Sequence, residues 1–63
     1  MGEKIRNRRT ELGMTQTELA EKVGISRVRL SDIERGVREV IKVSTLVAFS
    51  TVLNISIDEL LSC

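Results

Sequence analysis

Five side chains in the middle of this chain, Arg27, Val28, Ser31, Asp32 and Arg35, recur at spacings that gather them on one arc of a helix. With a step of about 100° per residue, Leu30 and Ile33 point the opposite way and set a buried side. The outward groups are donors, acceptors and methyls, which is the chemistry of reading a surface and not of making bonds. An arginine fork matches guanine O6 and N7 together, valine methyls suit a thymine methyl, and a carboxylate accepts from a cytosine N4 amine. Asp32 would otherwise be repelled by phosphates, unless Arg29, one turn back, neutralises it. Arg27, Val28, Ser31 and Asp32 are therefore the candidates for contact with base edges.

Catalytic readings find no parts. Histidine is absent and the one cysteine, Cys63, is the last residue, so neither a nucleophile–base pair nor a metal cluster can be assembled from the usual side chains. No glycine-rich phosphate loop is present; each of the four glycines is expected to mark a turn. The single aromatic, Phe49, is expected in the core and gives no platform for stacking single-stranded bases. No catalytic residue, metal, cofactor or small-molecule ligand is expected.

The elements that must hold the reading arc follow from start and stop signals. Thr15-Gln16-Thr17-Glu18 is a capping box, in which the threonine oxygen accepts from the first turn and the glutamate reaches back. Gly24 ends that helix and Ser26 caps a second, which Gly36 closes. Two short helices joined by a glycine turn form a helix-turn-helix, which in DNA-binding proteins lays its second helix in the major groove. Helices are expected over residues 2–12, 16–23, 27–35, 45–53 and 57–61. Ser44 is read as the cap of the fourth, Asn54 as its left-handed terminator, and Ser56-Ile57-Asp58-Glu59 as a second capping box. The expected fold is all-α, one compact domain over residues 1–63, with a core of Ile5, Leu12, Leu19, Ala20, Val23, Ile25, Leu30, Ile33, Leu46, Phe49, Leu53, Ile55 and Leu60.

At 63 residues the core is small, and below ~70 residues a fold usually needs staples, oligomerisation or very regular helix packing. One cysteine makes no internal disulfide, which points to the reducing cytoplasm. The charged N-terminus has no signal-peptide pattern, and the longest uncharged run, residues 43–57, is too short and too polar to span a membrane. Net charge is only +1, but all ten Lys and Arg lie at or before Lys42, against seven acids there. The remainder carries Asp58 and Glu59 alone. This segregation suits one phosphate-facing side. Gln16, at a helix start where amides stand free, is a phosphate candidate with Thr17, Arg35, Arg38 and Lys42.

The uncharged run is the second informative feature. Val47, Ala48, Thr51 and Val52 surround a Leu46-Phe49-Leu53 stripe without a charge, and an apolar outer face marks a partner surface. Val47, Val52 and Leu61 are the candidates for a symmetric dimer contact, because operators read by this motif are generally twofold.

Read in order, Ile5-Arg6-Asn7-Arg8-Arg9, Leu12-Gly13-Met14-Thr15-Gln16, Glu18-Leu19-Ala20, Val23-Gly24-Ile25-Ser26, Leu30-Ser31-Asp32-Ile33-Glu34-Arg35-Gly36 and residues 53–61 resemble the blocks of the lambda-repressor-like, Cro-type helix-turn-helix regulators. The likeness covers nearly the whole chain. It departs at residues 39–43, where the family often has a proline and more polar residues. The resemblance implies base-reading roles at Arg27, Val28 and Asp32, favours Gln16 among the phosphate contacts, and implies that Glu34 pairs with Arg9 as a strut between helices. The expected function is a sequence-specific regulator of transcription that binds double-stranded DNA as a homodimer, most simply a repressor. A second class, a protein-interaction module or antitoxin-like partner using the apolar 43–61 face, stands beside it.

Overall fold

A computed structural model describes residues 1–37 and 41–61; Arg38 and Cys63 lie outside the described residues. Among the described residues five helices follow one another: α1 (Gly2–Glu11), α2 (Gln16–Val23), α3 (Arg27–Glu34), α4 (Val43–Leu53) and α5 (Ile57–Leu61). No strand occurs among the described residues, so the all-α expectation holds.

Local chemistry sets most of the boundaries. The Thr15 hydroxyl accepts from the Glu18 amide at 3.1 Å and the Glu18 carboxylate accepts from the Thr15 amide at 3.1 Å, closing the capping box. Two N–H groups that the first turn leaves without helical partners are thereby satisfied. Gly24 ends α2 at φ +89°, a left-handed conformation that costs a side-chain-bearing residue energy. Ser26 then accepts from the Arg29 amide at 3.1 Å and starts α3. Asn54 terminates α4 at φ +53°, and Ser56 accepts from the Glu59 amide at 3.1 Å to start α5.

Three expectations are corrected. Helix α4 begins at Val43, not at residue 45, and Ser44 is not its cap. The N-cap is Lys42, whose extended backbone offers its carbonyl to the Thr45 and Leu46 amides at 3.0 and 3.1 Å, with no side-chain cap bond. Leu12, placed in the core by helical spacing, is exposed: α1 stops at Glu11, the periodicity ends with it, and Met14 takes the inward position beyond the turn. Gly2 marks no turn. It lies buried in the first turn of α1, where a Cβ would stand 2.2 Å from the Ile33 carbonyl oxygen and 2.9 Å from that of Glu34. The N-terminus of α1 thus abuts the C-terminus of α3, which places opposite ends of two helix dipoles together.

Each helix contributes to one core: Ile5 from α1, Leu19 and Ala20 from α2, Leu30 and Ile33 from α3, Phe49 and Leu53 from α4, and Leu60 from α5. Burying each large side chain contributes about 1.5–3 kcal/mol, which is how so short a chain orders five helices. Val23, Ile25 and Ile55 pack on its margin as expected, joined by Met14, Ile41 and Val52, while Leu46 is half-buried. Helix α2 packs on both α3 and α4, α1 on the same pair, and α5 on α4. The outer face of α3 is left uncovered.

Candidate nucleic-acid interface

Helix α3 is fixed from behind by Leu30, Ile33 and Glu34, all buried. Its outer side carries the expected arc: Arg27 is exposed at the helix start, Val28 is 63% exposed, and Ser31 and Asp32 are partly exposed. A methyl-bearing residue this open on so small a core has no packing role. Arg35, the C-cap of α3, reaches back to Asp32, its Nη2 donating to Oδ1 at 2.5 Å. The aspartate is thus neutralised by the arginine one turn ahead, and sequence reasoning had looked to Arg29 for that role.

Around this arc the proposed phosphate contacts fall on different elements. Thr17 is exposed in the first turn of α2, and Gln16 is half-buried beside it. Lys42 lies at the N-terminus of α4, and with Arg29 it lines a shallow depression between the Gly24 turn and Ser44-Thr45. Arg29 was not among the sequence-derived site residues. Its signal was available, because an exposed cation on the flank of a reading helix is placed to meet a backbone strand.

Three of the four cations of α1 serve a different purpose from the one the charge segregation suggested. Arg8 Nε donates to the Leu53 carbonyl at 2.8 Å and Lys4 Nζ to the Glu59 carbonyl at 2.8 Å, satisfying acceptors near the ends of α4 and within α5. Arg9 donates through Nε and Nη2 to the two carboxylate oxygens of Glu34, at 2.8 and 3.1 Å, and through Nη1 to the Met14 carbonyl at 2.9 Å. The strut between α1 and α3 implied by the resemblance is therefore present, and the Glu34 side chain is only 3% exposed. Gln16 joins it unexpectedly: its Nε2 donates to Glu34 Oε1 at 3.1 Å. No buried side-chain polar atom among the described residues lacks a partner.

Val47 and Leu61, from the expected dimer contact, are 46% and 58% exposed. Val43, one turn before Val47, is 74% exposed and extends the same face of α4. Val52 departs from that set, since it is half-buried and packed on the core. Among the described residues no three His, Cys, Asp or Glu side chains are grouped to hold a metal ion, and no helix is long and apolar enough to cross a membrane.

This geometry has close counterparts. A helix-turn-helix family profile matches residues 5–60. The transcriptional regulator SinR of Bacillus subtilis (strain 168) is 38% identical over 61 residues, covering 97% of this chain and 55% of SinR, so the chain spans about half the length of that relative. The crystal structure of SinR, a master regulator for biofilm formation, in complex with DNA superposes with a TM-score of 0.87 at 38% identity, over 97% of each chain. The P22 c2 repressor in complex with a synthetic operator gives a TM-score of 0.90 at 41% identity, over 97% of this chain and 91% of that one. Five helices, an outward third helix and a profile match across almost the full length lead to one conclusion: the chain belongs to the lambda-repressor-like helix-turn-helix family of transcriptional regulators.

Proposed function

We propose that this chain is a sequence-specific binder of double-stranded DNA inside the cell, a repressor that reads an inverted-repeat operator as a homodimer through α3. The observation that carries the reading is the uncovered arc of Arg27, Val28, Ser31 and Asp32, flanked on one element by Gln16 and Thr17 and on another by Lys42. Base-edge groups on one exposed helix face, with backbone-contact groups on the neighbouring elements, is the arrangement a groove-bound helix requires. The DNA-bound structures of SinR and of the P22 c2 repressor support it, since this chain shares their fold over 97% of its length.

In this reading Arg27 takes a guanine, Val28 a thymine methyl, and Ser31 and Asp32 adjoining polar edges. Gln16, Thr17, Arg35, Arg38 and Lys42 hold phosphates, while Arg9 and Glu34 brace the scaffold. Twofold operators call for twofold proteins, and Val43, Val47 and Leu61 supply the exposed apolar surface for a second copy. The same surface also favours a second reading, in which the α4–α5 pair captures a different protein. Footprinting the purified protein on the DNA upstream of its own gene tests the first reading. Protection of an inverted repeat is the expected result. A chain that fails to retard that DNA at low salt yet is pulled down with a protein partner would favour the second.

A further inference from the structure

We infer that Glu34 is a positioning residue for DNA contact: the buried Arg9–Glu34 pair holds the Gln16 side-chain amide in place for a phosphate before any DNA arrives. The inference deepens the DNA-binding reading above and rests on it. A carboxylate only accepts hydrogen bonds, so the Gln16 amide must turn its nitrogen toward Glu34 Oε1, where the two stand 3.1 Å apart. That contact fixes the amide plane and leaves a second N–H of the same nitrogen to donate elsewhere. Gln16 opens α2, and in the first turn the capping threonine takes the Glu18 amide, so the amides of Gln16 and Thr17 have no helical acceptor. Side-chain and main-chain donors are thereby gathered at one helix start.

An unpaired carboxylate so near would repel a phosphate. Arg9 removes that obstacle: it donates to both oxygens of Glu34, and its Nη1 donates to the Met14 carbonyl, so its orientation is fixed from two sides. The pair presents Gln16 with a neutral, rigid support. An amide held in this way forfeits no rotamer freedom on binding, whereas a loose glutamine must be ordered at that moment. The bracing therefore improves affinity without adding a charge, and the salt dependence of binding is left where the Lys and Arg contacts set it.

The test is a double-mutant cycle on affinity, read by fluorescence anisotropy with a labelled 30-base-pair duplex of mixed sequence. Gln16→Ala is expected to weaken binding roughly tenfold to a hundredfold, the worth of one hydrogen bond to a charged group, with the salt slope unchanged. Because removing only one member of the buried pair endangers the fold, the pair is replaced as a whole by Arg9→Met with Glu34→Leu, an exchange such pairs often tolerate. The replaced protein, shown by circular dichroism to be folded, is expected to lose the same factor, and adding Gln16→Ala to it to cost nothing further. If the pair is a strut alone, the replaced protein binds like the wild type, and Gln16→Ala costs the same in both backgrounds; that result overturns the inference. Should the replaced protein not fold, the wild type decides: a side-chain 15N order parameter for Gln16 below ~0.6 without DNA overturns the inference, and a value near that of the rigid backbone supports it. A wild-type chain that does not bind the duplex at all overturns the DNA-binding reading and this one together, whereas binding that is indifferent to the cycle overturns this one alone.

Discussion

A single side chain at the start of α3 carries the sharpest consequence of the proposed readout. Arg27→Ala is expected to cost about 1–3 kcal/mol on the specific site and to relax preference at one base pair in each half-site, because a two-pronged contact to guanine is lost. Competition between operator and single-substitution duplexes checks it, and an unchanged ranking of those duplexes would remove Arg27 from the base-reading set. Lys42→Ala should act differently, weakening all sequences alike and making the salt slope shallower by about one unit. Asp32 adds a third behaviour. Its ion pair with Arg35 is partly exposed and so adds little stability, about 0–1 kcal/mol, but it competes with a DNA phosphate for that arginine. Asp32→Ala is therefore expected to tighten binding to mixed-sequence DNA while reducing discrimination, a combination that anisotropy with the two kinds of duplex resolves. The arc itself was legible from spacing alone, since Leu30 and Ile33 define its opposite side. The Arg35 partner of Asp32 was not, because residues three apart in either direction satisfy the same helical rule and only the side-chain conformers decide.

Among the elements, the approach of α1 to α3 makes the strongest stability prediction. A methyl at Gly2 would lie 2.2 Å from the Ile33 carbonyl oxygen, which is backbone and cannot swing away. Gly2→Ala should therefore destabilise by about 1–3 kcal/mol, the usual range for overpacking, and each 1 kcal/mol lowers Tm by about 4–8 °C in a domain of this size. Gly24→Ala meets no neighbouring atom but is forced into φ +89°, so it should cost about 1–2 kcal/mol for a different reason. Thermal denaturation by circular dichroism separates the two mechanisms when a second replacement is made at each site. Gly24→Asn should recover part of the loss, because asparagine tolerates the left-handed region, while Gly2→Asn should be worse than Gly2→Ala. The contrast also shows what sequence can carry. Gly24, Asn54, Thr15, Ser26 and Ser56 act on their immediate neighbours, and their roles were readable from a few residues of context. Gly2, Leu12 and the start of α4 depend on what packs against them from elsewhere in the chain, and no local pattern encodes that. The bond from Gln16 to Glu34 belongs with these, since a separation of 18 positions gives no hint that the side chains meet.

At the scale of the whole molecule, the division of charge is less simple than a basic half facing DNA and a neutral half facing away. Lys4, Arg8 and Arg9 are engaged with Glu59 and Leu53 carbonyls and with Glu34, so fewer of the ten cations are left to meet phosphates. Few such contacts per copy make a weak binder, and joining two copies raises affinity through effective concentration without a new contact to DNA. The dimer is therefore a functional requirement of the proposed readout, and the exposed apolar residues Val43, Val47 and Leu61 are the surface proposed for it. Val43 and Val47 share one exposed face of α4, and Val52, turned toward the core, is a built-in control on that helix. A carboxylate at Val47 would have to be desolvated to keep an apolar contact. Val47→Glu is expected to shift sedimentation toward monomer and to lose operator affinity while helical circular dichroism and melting stay near wild type. Val52→Glu should instead lower Tm, because it buries the charge within one copy. The half-site centres of the operator should lie one DNA turn apart, ~34–36 Å, so that both copies of α3 enter the same face of the duplex. Insertion of half a turn between the half-sites should then reduce wild-type affinity to that of Val47→Glu on the intact operator. A wild-type protein that stays monomeric at high concentration and binds one half-site as tightly as two would end the dimer reading and leave the α4–α5 surface to a different protein.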